Sequence, residues 1–155
     1  MKEKTTTTYA TAAKPIPDGF HTVTPFLIVE DANRLLEFIK KAFHGETTSV
    51  MNDPDGKIMH ATVKIGDSII MVADAMERFP AMTSMLYLYV DDVDTAYQQA
   101  LKAGGQSLRE PINEFYGDRS AGVKDAWDNQ WWIATHIEDV DDEELKRRAD
   151  EFRKQ

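Results

Sequence analysis

The sequence contains no cysteine, which excludes disulfides, thiolate chemistry and cysteine-based metal sites. It also lacks any apolar run near the roughly 18–20 residues that span a bilayer, and any segment typical of a signal peptide. Basic residues are outnumbered, with 18 Lys and Arg against 27 Asp and Glu, and the resulting charge of −9 repels phosphate backbones. We therefore expect a soluble cytoplasmic protein that binds neither nucleic acid nor a membrane.

The composition nevertheless supports a folded core. The chain has 155 residues, of which 42% are hydrophobic and 10% aromatic, enough for one compact domain or two small fused modules. Residues 1–17 are rich in threonine and end in two prolines, and we expect them to form an N-terminal arm outside the core. The predicted domain spans residues 18–137, and residues 138–155 form an appended C-terminal helix whose N-cap is Asp141.

The first half of the predicted domain has the pattern of a β-α-β-β-β unit, over about residues 21–75. A β-branched run from His21 predicts a strand that ends at Val29, and Asp31 then caps a helix that Gly45 terminates. Three further strands follow in ETTSVMN, KIMHATVKI and SIIMVA, and the last two are separated by the tight turn Gly66-Asp67.

The second half, over about residues 83–137, repeats this pattern. MLYLYVDDVDTAYQQALKAGG aligns with TPFLIVEDANRLLEFIKKAFH, so that Val90 matches Val29 and Asp92 matches Asp31. Strands near 107–113 and 119–125 and the run QWWIATH complete the second unit. Internal repetition is a strong indication of fold. The predicted class is α+β, with paired βαβββ modules that form a pair of curled, mixed-sheet half-barrels, plus the C-terminal helix.

This doubled unit resembles the vicinal oxygen chelate superfamily, which includes glyoxalase I, bleomycin-resistance proteins and extradiol dioxygenases. The stretches VTPFLIVEDANRLLEFIKKAF and FYGDRSAGVKDAWDNQWWIATHIEDV resemble the branch labelled glyoxalase-like or 3-demethylubiquinone methyltransferase-like. They depart from it at Ala126 and Asp128, where that branch prefers Pro and Gly. The resemblance implies that two modules together enclose a small-molecule cavity.

Catalytic members of this superfamily hold a divalent metal through His, Glu or Gln side chains on the first and last strands of each module. By position, the resemblance places these ligands at Thr24, Ile70, Met85 and Trp132. None of the four offers the imidazole or carboxylate donor that Mn, Fe, Ni or Zn requires. We therefore expect no metal at this site and no cofactor.

Other charged residues have structural explanations that compete with functional ones. His60 falls on the polar face of its strand, with Ile58, Thr62 and Lys64, and His21 and His136 lie at strand ends. The acidic pairs Glu30-Asp31 and Asp91-Asp92 are typical of helix capping. Arg119 either pairs with Asp118 or another acid as a structural lock, or anchors an anionic ligand.

Aromatic residues are the most informative feature for binding. Trp131 and Trp132 are adjacent and must face opposite sides of a strand, and the former ligand position makes Trp132 the inward one. It either lines the cavity or fills it as core. The candidate ligand-binding residues are Trp132, Tyr87, Phe26, Phe115, Tyr116 and Arg119.

The sequence favours a metal-free protein that binds a small apolar or aromatic molecule in its cavity. Two alternatives remain open. One is a metal-independent isomerase, lyase or group-transfer enzyme in which His60, His21 or Arg119 acts; the other is an interaction module with a filled cavity. Catalysis itself is not decided by these residues. A homodimer is the default assembly, and we expect the arm to cross onto the partner.

Overall fold

The computed structural model describes residues 13–155, so most of the predicted arm lies outside the described residues. Its elements are β1 (Phe26–Val29), α1 (Ala32–Phe43), β2 (Glu46–Asn52), β3 (Ile58–Ile65), β4 (Ser68–Asp74), β5 (Met85–Tyr89), α2 (Val93–Lys102), β6 (Gln106–Asn113), β7 (Asp118–Lys124), β8 (Gln130–His136) and α3 (Asp142–Phe152). None of these helices has the length and apolar composition needed to cross a bilayer.

The strands form two separate four-stranded mixed sheets with the same topology. Their orders are β1-β4-β3-β2 and β5-β8-β7-β6, and in each sheet the edge strand before the helix pairs in parallel with the module's last strand. This layout confirms the predicted α+β class with paired βαβββ modules. Each sheet keeps two edges, so neither closes into a barrel.

The acidic pairs act as helix caps, as predicted. The side chain of Asp31 accepts a hydrogen bond from the Arg34 amide, and that of Asp92 accepts one from the Thr95 amide. At the other end of α1, His44 rather than Gly45 adopts the left-handed conformation, with φ of 55°. Gly45 is required for close approach instead, because a Cβ there would lie 2.5 Å from Ile39 Cγ2.

Two local expectations were wrong in detail. The strand predicted from His21 begins only at Phe26, since Pro25 has no N–H to donate to a ladder. Ile58 does not share the polar face of His60 but lies in the core with 1% exposure. A register shift opposite Met51 and Asn52 explains this, because it leaves Met59 as an extra residue in β3.

Aromatic residues of the second module join it to the first. α1 packs against α2, and the fully buried Trp131 lies with its ring centroid 6.1 Å from that of Phe38 and 5.0 Å from that of Phe43. The Trp127 indole N–H donates to the Glu30 carbonyl, and the Arg34 guanidinium lies 5.6 Å from the centre of its ring. One continuous core therefore runs through both modules.

Candidate functional site

The second sheet has one face covered by helices and one open face. Register places Tyr87, Trp132, Gly122 and Arg109 in one row across β5, β8, β7 and β6. Trp131 points to the covered face, so the alternation of the strand puts Trp132 on the open face, where it is only partly buried.

Trp132 lies flat against the sheet because its neighbour has no side chain. A Cβ on Gly122 would be 2.9 Å from the Cη2 and Cζ3 atoms of the indole. The Arg109 guanidinium lies 4.9 Å from the ring centre, and the indole N–H donates to Gln130 Oε1 at 3.0 Å. Trp132 is therefore held between the backbone and a cation.

Arg109 itself is fixed by a polar network. Its Nη2 donates to Glu114 Oε1 and, at 2.5 Å, to Ser120 Oγ, which in turn donates to the same Glu114 oxygen at 2.7 Å. Among the described residues, Arg109 Nε is buried without a hydrogen-bond partner. This network positions the guanidinium over Trp132.

Asp118 is the centre of a second cluster on the same face. The carboxylate is 3% exposed, and its Oδ2 accepts hydrogen bonds from the Tyr87 hydroxyl at 3.1 Å and the Tyr89 hydroxyl at 2.9 Å. Its Oδ1 lies 2.9 Å from His136 Nδ1, and His136 Nε2 lies 2.7 Å from the exposed Asp139 carboxylate. A buried acid thus orients two tyrosines and one histidine.

These contacts raise the pKa values of the two tyrosines and the histidine around Asp118. Burial, then the adjacent Tyr116 and Asp118, raise the pKa of Tyr87, and the hydrogen bond to Asp118 raises the pKa of Tyr89. Hydrogen bonds to Asp139 and Asp118 raise the pKa of His136, because both carboxylates favour the imidazolium. The tyrosines therefore stay neutral donors, and His136 is the group that can exchange a proton near neutral pH.

Two cavities lie where the modules meet. The small pocket, about 550 Å³, lies between the starts of β1 and β5 and is lined by residues 25–27 and 84–87. The large cleft, about 860 Å³, follows β5 from Leu86 to Tyr89 and is bounded by the β3–β4 turn, the end of α1 and the start of α2. Pro25, Leu86 and Tyr87 line both, so the two cavities are neighbours.

The structure brings some of the predicted binding residues together and separates others. Phe26 and Tyr87 line the small pocket, and Trp132 is the register neighbour of Tyr87, although it lines neither cavity. Tyr116 approaches Tyr87. Phe115 instead packs against Phe152 of α3, with ring centroids 5.1 Å apart.

Arg119 lies on the opposite face of β7 from Asp118, toward α2. It forms two hydrogen bonds of 2.8 Å to the Asp94 carboxylate and a third of 3.0 Å to Asn113 Oδ1. This pairing raises the pKa of Arg119 and lowers that of Asp94. The structural lock weighed from the sequence is therefore present, with Asp94 rather than Asp118 as its acid.

The histidines considered from the sequence occupy three different places. His60 contacts the edge of the Phe26 ring, with centroids 5.7 Å apart, beside the small pocket. His21 lines the large cleft, and His136 belongs to the Asp118 cluster. Sequence reasoning missed Tyr89, Asp118, Arg109, Glu114 and Ser120, although the alternation of Asp118, Ser120 and Gly122 along β7 places all three on one face.

Comparison with known proteins agrees with this architecture. Residues 19–133 match the family model of the Glyoxalase/Bleomycin resistance protein/Dioxygenase superfamily. The chain belongs to this superfamily. An uncharacterised protein of Mycobacterium bovis is 28% identical over 135 residues, which is 80% of this chain and 89% of that one.

Solved structures share the fold at low sequence identity. TioX from Micromonospora sp. ML1 aligns with a TM-score of 0.62 and 20% identity, over 74% of this chain and 99% of its own. A glyoxalase/bleomycin resistance protein/dioxygenase from Nocardioides aligns with a TM-score of 0.59 and 19% identity, over 79% of this chain and 87% of its own. A PhnB protein from Bacillus cereus aligns with a TM-score of 0.57 and 19% identity, over 74% of this chain and 99% of its own.

The metal ligands of the superfamily do not fit the residues present. Register pairs Phe26 with Met71 and Tyr87 with Trp132, so the position equivalent to Trp132 is Met71, and the expected position Ile70 was wrong by one residue. Ile70 instead matches the buried Trp131. With Thr24, two residues before β1, and Met85, at the start of β5, the corrected set still lacks a carboxylate or imidazole. Across residues 13–155, no group of three His, Asp and Glu side chains is placed to share one metal ion.

Proposed function

We propose that this superfamily member binds a small planar or apolar molecule in the small pocket, without a metal ion. The observation that supports it most is the convergence of Phe26 and Tyr87, from matched positions of the two modules, on one cavity of about 550 Å³. Ligand pockets usually measure about 300–1,000 Å³ and are mostly apolar with a few polar groups. Here the lining residues that carry a polar group are Ser84 and Tyr87.

Both rings are available for contact with a ligand. Phe26 is 43% exposed and Tyr87 is 42% exposed, and large aromatic surfaces in solvent at a cavity mark binding sites. The Asp118 hydrogen bond fixes the orientation of Tyr87 in advance, which lowers the entropy cost of binding. The exposed rings of Phe26 and Tyr87 also support the proposed homodimer. The compartment that we propose for the protein is the cytoplasm.

A titration with 2-naphthol, a neutral planar probe, tests this function. Phe26→Ala should weaken its binding about two- to twelvefold, because an aromatic contact contributes roughly 0.5–1.5 kcal/mol. Phe79→Ala is the matched control, since Phe79 is a similarly exposed phenylalanine outside both cavities, at 52%. Equal affinities for Phe26→Ala and the unmodified protein would contradict the proposal.

The His136–Asp118 pair supports a second candidate, a metal-independent acid–base enzyme. Asp118 fixes the Nδ1 side of the ring, as an orienting carboxylate does. Among residues 13–155, the partner of Nε2 is the fully exposed Asp139. A substrate on Tyr87 or Tyr89 would then place His136 as the proton acceptor or donor. Hydrogen–deuterium exchange at the α carbon of a bound simple ketone such as cyclohexanone tests it, because such a ketone exchanges slowly in neutral water. The protein should accelerate this exchange, and His136→Gln should abolish the acceleration.

A further inference from the structure

The tyrosines of β5 give the large cleft an electron-rich surface. Tyr87 and Tyr89 both line it, with ring centroids 5.4 Å apart, and Tyr89 is 66% exposed. Both hydroxyls donate to the buried Asp118 carboxylate, which fixes the two rings in position beside the cleft. Phenol rings whose hydroxyls donate to a carboxylate gain electron density, which strengthens their attraction for a cation.

Apart from His21 and His44, the ionisable side chains that line the large cleft are acidic. Three aspartates, Asp67, Asp91 and Asp92, line it, and no lysine or arginine does so among residues 13–155. Hydrogen bonds from Thr95 lower the pKa of Asp92, so this carboxylate is ionised at neutral pH. Capping of α2 accounts for Asp92 but not for Asp67 at the β3–β4 turn. An anionic ligand would be repelled here, whereas a cationic one would be attracted.

We infer that the large cleft binds an organic cation, an ammonium or quaternary ammonium group held on the rings of Tyr87 and Tyr89 and faced by Asp67 and Asp91. This inference rests on the proposed function, because Tyr87 lines both cavities and the cation would belong to the molecule in the small pocket. Aromatic rings backed by carboxylates are the usual recognition surface for such groups.

Choline and its neutral isostere 3,3-dimethylbutan-1-ol test the inference, because they share their shape and differ in charge. We expect choline to bind about tenfold more tightly, as measured by chemical-shift titration of the full chain at low salt. Tyr89→Leu should remove most of this preference. Tyr89→Phe should retain most of it, since the phenylalanine keeps the aromatic ring and loses only the electron density that the hydrogen bond to Asp118 adds. Equal binding of choline and the isostere, or no binding of either, would overturn the inference.

A charge-matched pair of variants tests the electrostatic part. Asp67→Asn should reduce the preference for choline severalfold. Asp55→Asn changes the same charge in the turn at the other end of β3, outside both cavities, and should leave the preference unchanged. Equal effects of the two substitutions would show that only net charge matters, which also overturns the site. The 2-naphthol titration separates the two proposals. If 2-naphthol binds as expected while choline and its isostere bind equally, the proposed function stands and only the inference of a cation site fails.

Discussion

Trp131 and Trp132 are adjacent in β8 but lie on opposite faces of the second sheet. Trp131 is fully buried against Phe38 and Phe43, and its indole N–H donates to Asp125 Oδ2 at 2.9 Å. Trp132 lies on the open face, partly exposed. One strand thus supplies an aromatic ring to the core between the modules and another to the surface beside the candidate site.

This difference predicts unequal costs for two matched substitutions. Trp131→Ala should lower the free energy of unfolding by about 3–5 kcal/mol, because it leaves a cavity in the shared core and removes one of the two hydrogen bonds that Asp125 Oδ2 accepts. Trp132→Ala should lower it by less than half as much. Urea unfolding measures both, and equal costs would show that the two faces of β8 are assigned incorrectly.

The ion pairs of His136 predict a pH dependence of stability. Asp139 and Asp118 raise its pKa above the ordinary 6.5, so the folded state binds a proton more tightly than the unfolded chain does. The stabilisation is therefore complete below about pH 6.5 and is lost as pH rises through the higher folded value. The facing groups are these two carboxylates and, through Asp118, the hydroxyls of Tyr87 and Tyr89.

Urea midpoints between about pH 5.5 and 9 measure this effect. His136→Asn should flatten the profile above pH 6.5. His44→Asn is the control, because His44 makes no ion pair among the described residues and Asn tolerates its left-handed conformation. A profile that His136→Asn leaves as steep as before would rule out this role of His136.

The donor set predicts that binding does not depend on a metal. Thr24, Met71, Met85 and Trp132 offer no carboxylate or imidazole, so we expect substoichiometric Mn, Fe, Ni and Zn in protein purified without chelator. Affinity for 2-naphthol should be the same before and after treatment with EDTA. Elemental analysis decides the first part. A stoichiometric metal that disappears on substitution of these residues would show that the site binds metal after all.

Exposed side chains on β5 support the prediction of a homodimer. Met85 and Tyr89 are each 66% exposed on an edge strand, and a second copy that covered them would remove this apolar surface from water. Sedimentation equilibrium should give a dimer at micromolar concentration. Removal of residues 1–17 should weaken it if the arm crosses onto the partner. A monomeric full-length protein contradicts the dimer, and an equally tight truncated dimer contradicts the role of the arm.

The fold could be predicted from the sequence because its signals are local and occur twice. Capping by Asp31 and Asp92, the alternation of the strands and the repeat itself lie in short windows. The face of Trp132 followed from strand geometry. The residue equivalent to Trp132 in the first module was expected at Ile70, one position from Met71, because residues 69–71 are all apolar and do not indicate which of them faces the core.

The polar clusters of the candidate site were out of reach for a different reason. Asp118 contacts Tyr87, Tyr89 and His136, which lie 31, 29 and 18 residues away in the chain, and only strand register brings them together. In the segment Gly117-Asp118-Arg119, Arg119 was the candidate ligand-binding residue, yet its neighbour Asp118 is the one that lies on the open face of the second sheet. Sequence identifies the candidate residue types, but pairing between strands decides which of them meet.

The central claim, that a small molecule occupies the small pocket between the modules, is tested most directly by intermolecular nuclear Overhauser effects. Isotope-filtered spectra of the full chain with unlabelled 2-naphthol would identify the protons that touch the probe. We expect effects to the rings of Phe26 and Tyr87 and to the Met85 methyl group, because these residues line this pocket. Effects confined to residues outside both cavities, with none to Phe26 or Tyr87, would contradict it.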